Sequence, residues 1–210
     1  MSNLKARIRG GESATLEFKV RSTGSEKLAR VAASFANSWG GDLVVGVDDL
    51  GRLAGLDDVE GTRRDLEEAV ELLNPRPITA IEHHVQDLLD AIILRVEALE
   101  FPELCRIEFT EDADLYFRIQ KESRSIASDV EKMVRNLRRR CKDQRLTDEG
   151  RRLVTWLWDK GEASEPDCAN RLNFSNHRLR KLAESLIGAG YLLPCRLGQG
   201  RSYAAIRPPA

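Results

Sequence analysis

The sequence predicts an α+β domain followed by a smaller domain of three helices and a two-stranded ribbon. Strand and helix patterns are mixed over about the first 125 residues, and a basic helical pattern follows. The last 65 of the 210 residues contain three capped helical patterns before two short strands. A chain of this length suffices for two domains with separate cores. We therefore expect domains at residues 1–128 and 146–210, joined by a basic linker helix at 129–145.

The composition is typical of a globular protein rather than a secreted or membrane-spanning one. Hydrophobic residues make up 41% and charged residues 32% of the chain. No apolar run approaches the roughly 18 residues that a membrane span needs, and the first residues lack the apolar core of a signal peptide. The cysteines are scattered without a Cys-x-x-Cys pair, which argues against a zinc ribbon: Cys105, Cys141, Cys168 and Cys195. We expect a cytoplasmic protein without a membrane partner.

The net charge of −1 conceals an asymmetry between the two halves of the chain. Residues 1–120 carry 14 Lys and Arg against 23 Asp and Glu, a net charge of −9. Residues 121–210 carry 19 against 11, a net charge of +8. A basic segment indicates a polyanionic partner such as nucleic acid. The acidic half would suit a metal ion or the basic half of another copy, although two simply solvated surfaces would show the same charges.

The first domain is predicted from alternating and helical spacing of its apolar residues. Leu16, Phe18 and Val20 alternate with Glu17 and Lys19, which indicates a half-buried strand with the two charged residues on its other face. The remaining elements follow in chain order: a helix from N-cap Ser25 to Gly40-Gly41, strand 43–47, turn 48–51, returning strand 53–56, helix 57–73, a hairpin of 78–85 with 89–96, and strand 115–119.

The second domain is predicted from helix caps and glycine positions. Its three helices have these boundaries: N-cap Thr147 to Lys160 with Gly161 at the end, Ser164 or Glu165 to Leu172, and N-cap Ser175 to Gly188 and Gly190. Two short strands, 191–193 and 202–206, then flank the turn Gly198-Gln-Gly200. Three helices followed by a two-stranded ribbon are the layout of a winged helix-turn-helix.

The first domain resembles the Schlafen AlbA-like family. The resemblance covers residues 11–56 closely, through these segments in this order and spacing: Gly11-Glu-Ser, Leu16-Glu-Phe-Lys19, Ser34-Phe-Ala-Asn37, Gly40-Gly41 and Val45-Gly-Val-Asp-Asp49. A weaker match is Leu115-Tyr-Phe-Arg-Ile119 followed by Ser123-Arg124. Relatives usually have a glycine directly after this strand, whereas this chain has Gln120.

The resemblance implies two functions. Bacterial members are often joined to a winged helix and described as transcriptional regulators, whereas some animal Schlafen proteins are divalent-metal nucleases that cut transfer RNA. The acidic site of the nucleases aligns here with Glu12, Glu17 and Asp49. The zinc-binding cysteines and histidine of Schlafen proteins have no counterpart in this chain. Larger relatives contain paired copies of the domain, so we expect a homodimer.

Three carboxylates and a lysine in this pattern would suit metal-assisted cleavage of a phosphodiester. Mg²⁺ and Mn²⁺ prefer oxygen ligands, polarise the phosphate and activate a water. We predict Glu12, Glu17, Lys19 and Asp49 as the catalytic group of such a nuclease, with the three carboxylates as metal ligands. The alternative is structural, because Asp48-Asp49 before Leu50-Gly51 is ordinary turn chemistry and Glu17 with Lys19 would suit a solvated strand face.

The third helix of the second domain carries most of the residues predicted to contact nucleic acid. With its leucines inward, five polar residues lie mostly outward near its N-terminus, which enters the major groove in a helix-turn-helix: Asn176, His177, Arg178, Arg180 and Lys181. Asn and Arg offer bidentate contacts to bases, and Lys contacts phosphate. Arg196 and Arg201 flank the turn where a wing would touch the DNA backbone. A winged helix that contacts protein is the alternative.

Three functions remain open at this point. The leading interpretation is a DNA-binding transcriptional regulator that uses the winged helix, with duplex DNA favoured as partner. The alternative is an endoribonuclease that uses Mg²⁺ or Mn²⁺ and acts on transfer RNA or other RNA, and the third is a protein–protein adaptor. A phosphate-binding loop is not expected, because Gly40-Gly41 follow a helix instead of preceding one. His83 and His84 point to opposite faces of a strand, so they are not expected to share a metal.

Overall fold

A computed structural model of the chain describes residues 4–108, 115–142 and 145–209. The chain divides into two compact units, Met1–Leu99 with Glu103–Ser123 and Glu100–Pro102 with Arg124–Ala210. Helices and strands are mixed, which confirms the predicted α+β class. None of the helices in the described ranges is long and apolar enough to cross a bilayer.

The first unit is built on a four-stranded sheet. Its elements are α1 Leu4–Ile8, β1 Leu16–Lys19, α2 Ser25–Ala36, β2 Gly41–Val45, α3 Val59–Glu71, β3 Leu73–Asn74, β4 Thr79–Gln86, β5 Leu89–Val96, β6 Arg106–Ile107 and β7 Tyr116–Ile119, and β8 Glu122–Ser125 begins in it. The sheet has the strand order β1-β2-β5-β4. β1 and β2 are parallel, whereas the other two neighbouring pairs are antiparallel.

Both faces of this sheet are covered, because alternate side chains of β2 pack into two different apolar clusters. Leu43 and Val45 pack with α2 and α3 in one apolar cluster, whereas Val44 lies in a second cluster with Phe18 and with the two buried residues of α1, Leu4 and Ile8. A strand that is buried on both faces is apolar at every position, and not at every second one. This explains why the run Leu43-Val44-Val45 is continuous.

The two long helices of the first unit begin in different ways. α2 begins at Ser25, and its N-cap position is occupied by Gly24, whose φ of 90° is open mainly to glycine. The prediction of Ser25 as the N-cap is therefore wrong by one residue, because Ser25 already has helical geometry. α3 has a side-chain cap at Asp58, which accepts a hydrogen bond of 2.8 Å from the amide of Gly61.

Short pairings complete the first unit and were harder to predict. β3 pairs with β6, although neither was expected from the sequence. The expected strand 53–56 is reduced to one isolated bridge between Val47 and Leu53. The turn after β7 places Gln120 at a φ of 51°, the left-handed conformation that glycine adopts without strain. The glycine that relatives carry there would therefore suit this turn.

In the described part of the second unit, a first helix is followed by three further helices and a three-stranded antiparallel sheet. Its elements are α4 Ser128–Arg140, α5 Asp148–Lys160, β9 Glu162–Ser164, α6 Glu165–Leu172, α7 Asn176–Gly188, β10 Leu192–Arg196 and β11 Ser202–Ala205. The predicted N-caps Thr147 and Ser175 are confirmed, and of the two predicted starts of α6 the structure has Glu165 as first residue with Ser164 as N-cap; each of the three cap side chains accepts a backbone hydrogen bond from the third residue after it. The predicted two-stranded ribbon is present as the antiparallel pair β10–β11, and β9, which was not predicted, adds a third strand in the sheet order β10-β11-β9.

α4 is part of the second unit and packs against α7 and β10. It buries Val130, Val134 and also Arg138. A methyl group on Gly188 of α7 would lie 3.1 Å from the carbonyl oxygen of Leu137, so the close approach of the two helices favours glycine there. The predicted domain limits at residues 128 and 145 stay a prediction, because compactness alone does not test which segments fold independently.

Candidate functional site

The exposed side of α7 carries five of the residues predicted to bind nucleic acid. Asn176, His177, Arg178, Arg180 and Lys181 are all exposed, while Leu179, Ala183 and Leu186 are buried. The N-cap Ser175 accepts a hydrogen bond from the amide of Arg178 at 3.3 Å, which fixes the beginning of the helix. The amphipathic spacing therefore presents a polar, largely cationic surface at the N-terminal end of this helix.

The side chain of Arg178 is oriented by two neighbours. Its guanidinium lies 3.8 Å from the centre of the Phe174 ring, in the turn between α6 and α7. It also lies 3.4 Å from a carboxylate oxygen of Glu149 on α5. The side chain stays 62% exposed, so a further partner can reach it. Stacking on an aromatic ring reduces the number of conformations that such a partner would have to order.

Arg180 is engaged within the unit. Its guanidinium makes hydrogen bonds of 2.8 to 3.1 Å to both carboxylate oxygens of Glu165, the first residue of α6. Arg201 lies 3.8 Å from the same carboxylate, and the Tyr203 hydroxyl lies 3.3 Å from it. The hydrogen bond from Arg180 lowers the pKa of Glu165, and burial opposes that effect. Arg180 and Arg201 thus differ from the other predicted contacts, since both converge on one buried carboxylate.

Arg196 lies at the exposed end of β10, where the pairing with β11 shifts its register. Its charge is close enough to contribute to the lowered pKa of Glu162 on β9. Burial alone would raise the pKa of Glu162, but hydrogen bonds from the Ser202 hydroxyl and from Arg124 outweigh it. Glu162 on β9 is therefore a second carboxylate of this unit that is paired with basic side chains.

The four residues of the predicted nuclease group occupy different environments in the first unit. Glu12 accepts a hydrogen bond of 3.0 Å from the backbone amide of Phe18. Glu17 is only 8% exposed and is paired with Lys19 and with Arg118. Asp49 is exposed in the turn after β2, where Asp48 accepts the hydrogen bonds that close the turn. The expectation of a solvated strand face at Glu17 is wrong, because this carboxylate is buried.

Arg118 on β7 is the residue of this region that sequence reasoning missed. It is 1% exposed and lies 2.8 Å from a carboxylate oxygen of Glu17. Its guanidinium also donates to the carbonyl oxygens of Ser13, at 2.9 Å, and of Leu16, at 3.3 Å. The same group lies 5.1 Å from the centre of the Phe35 ring. Its position in the motif Leu115–Ile119 was the one available signal, but nothing in that motif indicated burial.

The described ranges contain no group of three or more His, Cys, Asp or Glu side chains arranged to hold a metal ion. Within the predicted group, Glu17 already has two cationic partners, Lys19 and Arg118. The assignment of Glu12, Glu17 and Asp49 as metal ligands, and of Mg²⁺ or Mn²⁺ as cofactor, stays a prediction.

A polar cleft of about 800 Å³ lies beside α3 in the first unit. Its walls carry both signs of charge, from Arg21 and Arg64 on one hand and from Asp57, Asp58 and Glu68 on the other. None of the predicted catalytic residues lines it. The mixed charges favour no single class of ligand.

Comparison with known proteins identifies the first unit. The family model described as Schlafen, AlbA_2 matches residues 12–127, which is more than half of the chain. No curated protein matches the chain.

Two solved structures are similar at low identity. The N-terminal domain of a RecG-related protein from Nitrosomonas europaea is 24% identical over 55% of this chain and 84% of that domain, with a TM-score of 0.42. The DIP2311 protein from Corynebacterium diphtheriae is 18% identical over 91% of this chain, also with a TM-score of 0.42. This chain spans only 34% of the length of the DIP2311 structure.

Proposed function

The chain belongs to the Schlafen, AlbA_2 family, and from that premise we propose that it binds nucleic acid through the second unit. The proposal in its finer form is a DNA-binding transcriptional regulator whose second unit is a winged helix-turn-helix. Duplex DNA is the favoured partner, and RNA is the alternative.

The order of elements in the second unit supports the winged helix. From α5 onward the order is helix, strand, two helices and two strands, with β9 paired to β11, the second strand of the β10–β11 hairpin and the central strand of the sheet. In a helix-turn-helix the second helix of the pair enters the major groove, and here that helix is α7. The turn before it is short and contains Asn173 in the left-handed conformation, with a φ of 56°.

The observation that carries the proposal is the charge at the beginning of α7. The helices α2 to α6 each have at least one Asp or Glu in the first turn, which is the ordinary complement to the positive end of the helix dipole. α7 has none, and its first six residues include His177, Arg178, Arg180 and Lys181. Amide groups and cations that share one end of a helix attract phosphate.

The contacts within the unit divide these residues by role. Asn176, His177, Arg178 and Lys181 are available to a ligand, and the first and third of them are suited to bases. Arg196 would contact the DNA backbone from the β10–β11 hairpin. Arg180 and Arg201 would act indirectly, because their pairing with Glu165 holds α6, α7 and β11 together.

The test is the affinity of the full chain for labelled duplex DNA, measured by fluorescence anisotropy over a series of salt concentrations. Replacement of Arg178 and Lys181 by alanine removes two exposed cations without touching Glu165. We expect at least a tenfold loss of affinity, and a dependence of log K on log salt that is flatter by about one unit, since Lys181 is the phosphate contact of the two and one such contact contributes about 0.9.

The matched control is Arg152→Ala, which removes an exposed cation from α5. We expect this change to leave affinity within about twofold. If the double variant binds as tightly as the native chain, α7 is not the binding surface and the proposal fails. Binding of labelled RNA in preference to duplex DNA would replace the DNA form of the proposal.

The nuclease is the second candidate function, and the buried Glu17 with its cationic neighbours is the observation that keeps it open. A carboxylate held 2.8 Å from Arg118 is rigid, as a catalytic carboxylate must be. Incubation of transfer RNA with Mn²⁺ or with EDTA tests it, with Glu12→Gln and Asp49→Asn as variants that leave the buried pair intact. Cleavage that needs Mn²⁺ and is lost in both variants would establish the nuclease, whereas equal cleavage by the variants would exclude these residues.

A further inference from the structure

The outer strand β4 of the first unit presents a long, regular edge. It has eight residues, pairs with β5 without any shift of register, and has β5 as its one strand neighbour within the described ranges. Edge strands of monomeric proteins are normally short, bulged or protected by proline or by charged side chains, above all lysine. The β4 sequence Thr-Ala-Ile-Glu-His-His-Val-Gln has neither lysine nor proline, and Glu82 is its one carboxylate.

The direction of the backbone groups follows from one hydrogen bond. The amide of Glu97 donates to the carbonyl of Ile78 at 2.9 Å, so residue 78 faces β5. Backbone groups of an antiparallel strand alternate between its two neighbours. The amide and carbonyl groups of Ile81, His83 and Val85 therefore point away from β5, toward the open edge.

Apolar side chains follow the same edge. Of the six large hydrophobic residues that are exposed in the described ranges, three lie in or beside the β4–β5 hairpin: Ile78, Val85 and Leu88. Val85 is 63% and Leu88 is 94% exposed. Leu88 also has a φ of 63° in the hairpin turn, a conformation that costs a branched side chain free energy. An open ladder with exposed apolar residues is the arrangement that favours pairing with another strand.

We propose that β4 pairs in antiparallel fashion with β4 of a second copy of this chain, around a two-fold axis at His83. The two four-stranded sheets then form one sheet of eight strands. The pairing joins Ile81 to Val85 of the second copy and His83 to its own symmetry mate, with about six new main-chain hydrogen bonds.

Side-chain complementarity selects this register. A two-fold axis perpendicular to the sheet places one residue opposite its own copy. Centring on Glu82 would set two carboxylates opposite each other, which is unfavourable. Centring on His83 sets Glu82 opposite His84 of the second copy, and these two groups already make a 3.2 Å contact within one strand. The same register sets Ile81 opposite Val85, so the two large apolar residues of β4 have each other as partners.

The occupant is a second copy because the strand is complementary to itself. Both members of the pairs Glu82–His84 and Ile81–Val85 lie on β4, so a different partner is not required. A single added strand pair buries less than the ~1,600 Å² of a standard stable interface. We therefore expect a reversible dimer whose population depends on protein concentration.

Sedimentation equilibrium of the full chain over about 1 to 200 µM tests the dimer. Val85→Pro removes an outward amide at a position where an edge strand tolerates proline, and Val85→Lys places a charge opposite Ile81. We expect each change to weaken association at least tenfold. Val20→Lys is the matched control, because Val20 is an exposed valine outside this edge, and it should leave association unchanged.

Oxidative cross-linking tests the register. The Cα atoms of the two His83 residues would lie about 5.5 Å apart, within the Cα–Cα range that a disulfide spans. His83→Cys should therefore give a covalent dimer, whereas Glu82→Cys should give no more than the native chain with its four free thiols. The proposal is overturned if the native chain stays monomeric throughout, or if neither change at Val85 affects a dimer. A higher yield of covalent dimer from Glu82→Cys than from His83→Cys would overturn the register.

Discussion

Glu165 shows how one buried carboxylate can organise the surface beside it. Its side chain is 6% exposed, while Arg180 and Arg201 reach it from α7 and from the segment before β11. Bidentate pairing with an arginine is directional and holds both groups in one geometry. This pairing explains why two cations that look like nucleic-acid contacts in the sequence have a partner within the unit.

We expect Glu165→Gln to lower the free energy of unfolding at pH 7 by about 1–3 kcal/mol, because it replaces charge-assisted hydrogen bonds by weaker ones. The pKa of Glu165 is lowered in the folded state, so the unfolded state binds more protons near pH 4. The stabilisation is therefore present above the unfolded pKa and is lost as the pH falls through the folded pKa. Urea unfolding of the native chain at several pH values should show this loss of stability. The free energy of unfolding of the Glu165→Gln variant should fall less over the same pH range.

The control is Glu149→Gln, since this carboxylate is more exposed and makes one longer contact with Arg178. We expect it to change stability by less than about 0.5 kcal/mol. An equal effect of the two substitutions would mean that Glu165 has no special role.

Arg118 and Glu17 form the corresponding buried pair of the first unit. We expect Arg118→Met to cost about 3–5 kcal/mol, because it leaves a buried carboxylate without its main cationic partner. The double variant with Glu17→Gln should recover part of that loss, and denaturant unfolding of the four proteins in a cycle measures the coupling. The exposed Arg21→Met is the control. Additive losses in the cycle would contradict the pairing.

At the scale of elements, the sheet of the first unit depends on close backbone approach. β2 ends at Val45, and Gly46 follows with a φ of 103°. A methyl group on Gly46 would lie 2.7 Å from the carbonyl oxygen of Asp90 on β5. Here the chain needs glycine both for its backbone conformation and for space.

Gly46→Ala is therefore expected to destabilise the protein by about 2 kcal/mol or more, from left-handed strain and the backbone clash together. Gly10→Ala is the control, because Gly10 has no positive φ and nothing within 4 Å of the added methyl group. Thermal unfolding followed by circular dichroism compares the two. A small effect at Gly46 would mean that β5 shifts easily, contrary to its buried position.

At the scale of the whole molecule, local charge and net charge differ. The chain has a net charge of −1 and an isoelectric point of about 6.4, yet residues 121–210 carry a net charge of +8. Binding to a polyanion depends on the surface that meets it and not on the average over the chain.

The full chain should therefore bind immobilised heparin at a pH above its isoelectric point, and salt should elute it. The variant with alanine at positions 178 and 181 should elute at lower salt than the native chain. Arg152→Ala should elute at a salt concentration close to that of the native chain. A native chain that flows through without binding would show that the positive charges of the second half do not form a continuous surface.

Local signals in the sequence were sufficient for most of the elements. The caps Thr147 and Ser175 and the end at Gly161 were predicted to the residue, and the start of α6 to within one residue, because a cap is a contact between neighbours in the chain. The helical spacing of α7 likewise identified which side is exposed. The short strands β3, β6 and β9 were missed, since a strand of two or three residues owes its existence to a distant partner.

The amino-acid sequence alone was enough to predict the α+β class, the family of the first unit and the exposed cationic side of α7. The folded structure was needed to show which charges are paired and which strand lies at the outer edge of the sheet in the described ranges: Glu17 pairs with Arg118, Arg180 and Arg201 pair with Glu165, and β4 is the outer strand. The physical reason is distance along the chain, since Glu17 and Arg118 meet across 101 residues and no local pattern encodes that contact. Side-chain type indicates what a residue can do, whereas its neighbours in space decide what it does.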